Sequence, residues 1–324
     1  MSIKNIIRKT GPIYNRLVAL NYGRVISMHR KAFEKEGLEG VKKVITASMN
    51  ELVGYSPNFD NPTTFNDKIQ WLKLYWYDER LIQCCDKNMV RNYVKEKGLQ
   101  HILVPQIAVY KNADEIDLAN LPEKFVLKPS HDSGHTYICT DKHTFKVKKV
   151  KKELSKWLGY DYAFRGMEWS YHNNHPTIVC EELLEPDKES GELYDYKFFC
   201  FSGEPKYIFF VSDRQNEAKS DFYDLEWKLQ DFRWYYEPSG KIHKKPDCFE
   251  KMIEYARILS SDFPFVRVDF YESNGKVFFG ELTFFHGSGY GWFRPETWDK
   301  TFGSMIELPE KSSINPWDWV RIRG

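Results

Sequence analysis

Residues 265–290 read FVRVDFYESNGKVFFGELTFFHGSGY, two alternating runs joined at Ser273-Asn274-Gly275. Successive strand side chains face opposite sides, and a one-residue slip in register exchanges the faces. A three-residue loop with Gly275 in the left-handed region sets Arg267 opposite Glu281 and Asp269 opposite Phe279. Arg267, Asp269, Glu281 and Thr283 then share one face; Val266, Val268, Phe270, Phe278, Gly280, Leu282 and Phe284 form an apolar other face. A two-residue Asn-Gly loop puts Glu281 against Val268 and mixes the faces, so the longer loop is expected.

Helical spacing occupies residues 61–98. Thr64 is placed to cap a helix with Phe65, Ile69, Leu72 and Trp76 as its apolar stripe and Asp67, Lys68 and Lys73 outward. A second helix, about 87–97, follows Asp86 and ends at Gly98. Residues 125–129 and 136–139 read as strands around the small polar loop 130–135, and 146–158 as a basic amphipathic helix. A buried strand at 177–184 leaves into a loop at Glu185-Pro186. Residues 194–201 and 206–211 form a strongly signalled hairpin, and a helix over 247–260 turns Met252, Ile253, Ala256 and Leu259 inward. Trp292, Phe293, Trp298 and Trp317 suit an aromatic wrap over a sheet.

With 324 residues and 42% hydrophobic content, the chain can bury a large core divided into two or three lobes. The formal net charge of +1 gives no electrostatic case for nucleic acid. The six cysteines include no C-x-x-C pair and read as free thiols of a reducing compartment. No apolar run approaches the roughly 20 residues that span a bilayer, and the first twenty residues lack a signal peptide's apolar stretch. A cytoplasmic protein is expected. Residues 1–50 are basic, with Lys4, Arg8, Lys9, Arg16, Arg24, Arg30, Lys31, Lys35, Lys42 and Lys43 against Glu34, Glu36 and Glu39. Two short helices are expected there, either packing on the main body or docking on an anionic membrane face or polyanionic glycan.

Two carboxylates and an arginine on a half-buried sheet face, followed by Gly287-Ser288-Gly289, suit a divalent cation and phosphate. The plainer reading is an Arg267–Glu281 cross-strand pair of small energetic value. Lys128, ending an apolar strand beside Ser133-Gly134, suits phosphate oxygens, against the alternative of a snorkelling lysine on a surface hairpin. Asp86-Lys87 alone is an ordinary helix start. His131 and His135 have the spacing of ligands on a helix, but they sit in a loop, so zinc is not expected. The passage out of the 177–184 strand can receive a purine along its backbone.

Together DK at 86–87, LPEKFVLKPSHDSGH at 121–135, EW at 168–169, IVCEELL at 178–184, DYKFFCFSGEP at 195–205, SDR at 212–214, FYD at 222–224 and FVRVDFY…GELTF resemble the ATP-grasp superfamily. The likeness is greatest to its TupA-like (teichuronopeptide biosynthesis) branch of bacterial surface-polysaccharide enzymes, and covers roughly residues 60–310. The resemblance implies an α+β fold of two lobes with antiparallel sheets enclosing a nucleotide cleft. Their expected bounds are 121–184 and 185–324, preceded by a helical extension (1–58) and a helical lead-in (59–120). It implies ATP and Mg2+ as cofactors. Lys87 and Lys128 would meet phosphates under the Ser133-Gly134 loop, Glu182 and Leu184 adenine, and Asp195 the ribose. Asp269 and Glu281 would hold magnesium, with Thr283 where many relatives have asparagine. Arg267 would steady the transferring group, and Lys197, Arg214 and Lys228 compete for the remaining phosphate contact. The activity implied is a carboxylate–amine ligase of capsule or cell-wall polysaccharide synthesis, acting on an acidic glycan or amino acid. The alternative is a glycosyltransferase using a nucleotide-sugar on the same architecture. The N-terminal α/β domain that helps bind the second substrate in many relatives is not evident.

Overall fold

The computed structural model describes residues 22–172, 175–187, 191–212 and 218–323. Helices α1 (Tyr22–Glu36) and α2 (Leu38–Leu52) meet the helical expectation for the basic stretch; Lys4, Arg8, Lys9 and Arg16 lie outside the described residues. Each helix buries one stripe, Tyr22, Ile26, His29 and Phe33 on the first and Val41, Ile45 and Met49 on the second. They turn back on each other tightly. A Cβ on Gly40 would lie 2.1 Å from the Ala32 carbonyl oxygen, so only glycine fits this crossing.

Helix α3 (Phe65–Tyr75) starts as expected, with Thr64 Oγ1 accepting from the Asp67 amide at 3.0 Å. Its polar side is not outward. Asp67 is 4% exposed and Lys73 0%, because the C-terminal chain folds over that side: Trp317 Nε1 donates to the Lys73 carbonyl at 3.0 Å and Lys68 Nζ to the Ile306 carbonyl at 2.7 Å. Periodicity cannot register a cover that arrives some 240 residues later. Helices α4 (Arg80–Cys85) and α5 (Val90–Glu96) follow, the latter led in by Asp86, whose Oδ1 accepts from the Asn88 and Met89 amides at 2.8 and 3.0 Å.

Strands β1 (Gln106–Tyr110), β2 (Phe125–Pro129), β3 (Tyr137–Cys139) and β4 (Ile178–Glu181) make an antiparallel sheet in the order β1-β4-β2-β3. Helix α6 (Val147–Leu158) covers it with Val150 and Leu154 and turns Lys148, Lys149, Lys152 and Lys156 to solvent. A short helix α7 (Ala163–Gly166) leads back toward β4. The second sheet contains β5 (Asp195–Phe201), β6 (Glu204–Ser212) and β7 (Lys219–Tyr223). After the two-residue β8 (Arg233–Trp234), helix α8 (Phe249–Ser260) and strands β9 (Phe265–Ser273) and β10 (Lys276–Thr283) complete it, in the order β10-β9-β5-β6-β7. Strand β5 is buried along its whole length. Helix α8 covers one face with the four side chains expected; α3 and α9 (Thr297–Met305) pack toward the other, where Phe65 and Phe302 meet Phe199. Strand β11 (Phe293–Arg294) pairs with β8, and α10 (Pro316–Arg323) closes the chain with Trp317 buried. Each sheet has its own hydrophobic core. The two α+β lobes are therefore present. No helix among the described residues is long and apolar enough to cross a membrane, and all six cysteines are buried and free.

The β9–β10 turn departs from expectation. Ser273 pairs with Lys276, so the loop has two residues, Asn274 (φ 51°) and Gly275 (φ 70°), both left-handed as a primed hairpin turn requires. The mixing of faces that argued against this loop is cancelled by a bulge at Gly280, after which Glu281 pairs with Asp269 and Thr283 with Arg267. The extra residue flips parity. Val277, Phe279 and Leu282 are buried, while Phe278, expected in the core, pairs with Tyr271 on the opposite face.

Candidate active site

Cross-strand pairing of Asp269 with Lys197 puts both on the face that carries Arg267. Asp269 Oδ2 accepts from Lys197 Nζ and, at 2.6 Å, from Arg267 Nη2; its Oδ1 accepts from Arg267 Nε at 2.7 Å. The same Arg267 Nη2 donates to Glu281 Oε1 at 2.9 Å, and Lys197 Nζ lies 2.7 Å from Asp195 Oδ2. Two carboxylates thus converge on one guanidinium nitrogen. Three acids and two cations interlock here, with Lys87 adding positive charge from across the cleft. Burial raises the Asp269 pKa against the pull of Arg267 and Lys197. Glu281 moves the other way: burial works against its charge, but Arg267, Lys197 and Lys87 outweigh it and hold its pKa below the usual range. Asp269 is 1% exposed, whereas the Glu281 side chain is 37% exposed. Its Oε2 accepts no bond among the described residues.

Thr283 Oγ1 donates to Glu281 Oε1 at 3.3 Å and so steadies that carboxylate. His286 holds Arg267 from behind, its Nδ1 2.7 Å from Arg267 Nη1. Since the guanidinium only donates, Nδ1 accepts and the proton sits on Nε2. Burial, then Arg267 and Lys197, push the His286 pKa well below its usual value. The ring lies 4.2 Å from Trp234 and 4.7 Å from Phe199, centre to centre.

The small sheet brings a second group. Asp86-Lys87 docks on the end of β2, where the Lys87 amide donates to the Ser130 carbonyl at 2.8 Å and Ser130 Oγ to Asp86 Oδ2 at 2.6 Å. Lys87 Nζ reaches the Pro129 carbonyl at 3.1 Å and the Asp132 carbonyl. Lys128, next to Pro129, pairs with Glu181 Oε2 at 2.9 Å, and Arg91 approaches Oε1 of the same acid at 3.6 Å. Ser133 and Gly134 form an exposed tip, Gly134 at φ 97° with open space where a Cβ would point. A cleft lined by Lys87, Asp132, Tyr171, Gly280 and Glu281 joins the two groups.

The structure therefore gathers Arg267, Lys197, Asp195, Asp269, Glu281 and Thr283 on one wall and Lys87, Lys128, Ser133 and Gly134 on the other. Asp195 belongs with the acids through Lys197. Glu182 and Leu184 lie where β4 exits, exposed and half-buried; the Glu182 amide already donates to the Pro105 carbonyl at 3.0 Å. Lys228 stays outside. It is exposed beyond β7, which two intervening strands hold roughly 14 Å from β9. Arg214 lies outside the described residues.

Sequence reasoning assigned no role to His286, Arg91, Glu168 or Tyr171. Glu168-Trp169 stand in sequence as a pair ahead of β4. Nothing local marks Arg91 or Tyr171, since their positions depend on which lobe folds over them. The donors fit a divalent cation in one respect: one or two carboxylates beside substrate phosphates is a common magnesium arrangement, and Glu281 keeps an oxygen free. No cluster of three or more acid, histidine or cysteine ligands exists among the described residues.

A family model described as TupA-like ATPgrasp matches residues 67–307. No curated protein matches. Among solved structures, D-alanine–D-alanine ligase from Bacillus anthracis is similar at 16% identity and TM-score 0.40, over 62% of this chain and 57% of that one. The ADP complex of purK, N5-carboxyaminoimidazole ribonucleotide synthetase, aligns at 14% identity and TM-score 0.43, over 75% and 57%. D-Alanine–D-alanine ligase from Helicobacter pylori aligns at 12% and 0.40, over 77% and 68%. The chain spans little more than half the length of the first of these.

Proposed function

Because the chain belongs to the TupA-like ATP-grasp family, we propose that it is an ATP- and Mg2+-dependent carboxylate–amine ligase of bacterial surface-polysaccharide synthesis. The observation that carries this reading is the cleft with Lys87 on one wall and Glu281, bonded to Arg267, on the other. The cleft is narrow in this structure, about 10 Å³, and what supports the reading is its charge: a lysine facing a carboxylate pair suits phosphate oxygens and their cation.

Lys87, Lys128 and the Ser133-Gly134 tip bind and orient the phosphates, with adenine along the backbone at 182–184. Glu281, with Asp269 beside it, would hold magnesium, which would neutralise phosphate charge. A substrate carboxylate oxygen attacks the γ-phosphorus and ADP leaves, giving an acyl phosphate. The amine then attacks the acyl carbon; a C–N bond forms, the C–O bond to phosphate breaks, and phosphate departs with the electron pair. Arg267, fixed by Asp269 and His286, stabilises the charge developing on the transferring group. Catalysis of this kind is positioning and charge neutralisation, with no covalent work by the protein. The basic helices suit an acidic glycan or an anionic membrane face nearby, and the chemistry suits the cytoplasm, where ATP is made.

Thermal unfolding with ligands tests the reading, since a ligand that favours the native state raises the midpoint. ATP–Mg2+ should stabilise the protein and UDP- or CDP-sugars should not. Stabilisation by a nucleotide-sugar alone would replace the ligase with a glycosyltransferase.

A further inference from the structure

The histidines His131 and His135, which a loop keeps from the zinc-ligand geometry of a helix, have another use in the fold. They bracket the phosphate loop and fasten both of its feet to the end of α6 and the turn after it. At one foot His131, 2% exposed, donates from Nε2 to the Tyr160 carbonyl at 2.9 Å; a carbonyl only accepts, so that nitrogen carries the proton. At the other, the His135 ring lies flat on Trp157, with centres 3.5 Å apart and planes 22° from parallel, while its Nδ1 is 2.5 Å from Asp132 Oδ2. Between the feet, Ser133 and Gly134 stay exposed.

A third element backs this seat. Tyr22, the first residue of α1, meets both Trp157 and His135 edge to face, with ring centres 5.0 and 5.7 Å away and planes at 75° and 78°. Gly23 permits the approach, since a Cβ there would lie 2.7 Å from the Tyr160 hydroxyl. The helix is held further along, where His29 Nδ1 meets the Phe164 carbonyl at 2.7 Å and Arg30 Nη2 donates to Asp161 Oδ2 at 2.9 Å. Trp157 is fixed in turn by its Nε1, which donates to the Tyr137 hydroxyl at 3.0 Å. Helix α1 lies outside residues 67–307, the stretch that matches the family model. It nevertheless packs on the loop that carries Ser133 and Gly134.

We propose that His135, Trp157 and Tyr22 are positioning residues for nucleotide phosphate, forming an aromatic seat that holds the loop 131–135 in its phosphate-binding shape before ATP arrives. The assignment rests on the reading of this site as a nucleotide cleft. A short exposed loop left to itself loses conformational freedom when it closes on a ligand, and that cost is taken from affinity. A histidine stacked at the loop's foot removes part of it in advance. The seat also steadies the lysine: Asp132, whose carboxylate accepts from His135, accepts from Lys87 Nζ through its carbonyl. Loosening His135 therefore loosens both the tip and the lysine beside it.

Calorimetric titration of the full chain with a non-hydrolysable ATP analogue and with AMP, both in the presence of Mg2+, tests this. His135→Ala removes the stack from the loop side, and Tyr22→Leu removes the ring edge from the α1 side. Each should weaken binding of the analogue about fivefold and of AMP by clearly less, because AMP lacks the two outer phosphates under the tip. Tyr22→Phe keeps the edge and should recover most of what Tyr22→Leu loses; if Tyr22→Leu does not fold, His135→Ala carries the comparison. Hydrogen exchange gives a readout that needs no ligand: amides 131–136 should exchange faster in His135→Ala, with those of β4 unchanged. An unchanged affinity for the analogue in His135→Ala, an equal loss for AMP, or unaltered exchange of the loop overturns the seat and leaves the nucleotide cleft standing. A wild-type protein that binds neither nucleotide overturns both.

Discussion

Two clusters of buried charge sit near each other and are built to opposite ends. In one, Lys73 is wholly enclosed and its Nζ donates to Gln70 Oε1, the Gly166 carbonyl and the Ser288 carbonyl at 3.0, 2.8 and 2.6 Å, beneath the Tyr290 ring at 4.5 Å. All three of its donors are used. Glu168 supplies charge nearby, and Ser288 ties it to the same turn. In the other, Arg267 and Lys197 are just as thoroughly bonded, but Glu281 leans partly exposed into a cleft. A buried ion costs free energy unless its partners are complete. Lys73 is complete within the fold and fastens α3, the 166–168 segment and the 286–289 turn together. The Arg267 cluster keeps one carboxylate turned toward the cleft.

The sharpest way to break this contrast is Glu281→Gln. It removes the partly exposed charge while the amide oxygen can still accept from Arg267, so ligase turnover should fall about a thousandfold or more while the unfolding midpoint stays near wild type. Full turnover would sink the assignment. Lys73→Met should behave oppositely, destabilising the protein by about 3 kcal/mol because it leaves Gln70 Oε1 without its donor and removes the nearest charge facing the buried Glu168. Denaturant unfolding measures that loss, and an unaffected stability would show the cluster to be incidental. His286→Leu removes the acceptor behind Arg267 and should lower kcat by roughly tenfold to a hundredfold with the KM for ATP little changed, while His286→Asn, which can still accept, should recover part of it.

A smaller effect comes from pH. Burial lowers the Lys73 pKa to about 7, with Glu168 opposing. Its folded value then lies below the unfolded one, so between about pH 7 and 10 the unfolded chain holds the extra proton and this residue's contribution to stability rises with pH. Glu168, raised by burial, acts in the opposite sense, its contribution falling as pH climbs from its unfolded value through the folded one. The difference between wild-type and Lys73→Met stability should therefore widen in favour of wild type from neutral to alkaline pH; a flat difference contradicts the assigned shift. Smallest of all, Thr283→Val removes one 3.3 Å bond to Glu281 and should change stability by under about 1 kcal/mol, visible chiefly as a higher Mg2+ concentration needed for half-maximal turnover.

Much of this was written locally. Alternation marked β5, β6, β9 and β10 because a sheet face selects side chains at every second position, and spacing marked α3 and α8 because a helix selects them every third or fourth. Thr64 announced the start of α3 through a bond that spans three residues. The polar face of Arg267, Asp269, Glu281 and Thr283 was also legible, although the turn assumed for it was wrong: a two-residue loop and the Gly280 bulge each shift parity by one, and the shifts cancel at Glu281. They do not cancel at Phe278, which is why that residue changed faces. Local pattern cannot count an extra residue whose only signature is a glycine.

Tertiary structure alone decided which charges are closed and which are open. Lys73 has the spacing of a solvated helix face, and it became the most enclosed lysine when residues 286–317 folded across it. Lys87 looks like any helix-start lysine until Ser130 and Asp86 dock its helix on β2 and aim it at Glu281. The sequence by itself determines period, parity and caps, which involve neighbours a few residues apart. The desolvation of a charge and the identity of its counter-ion depend on segments brought together from across the chain, and those set what the site can bind.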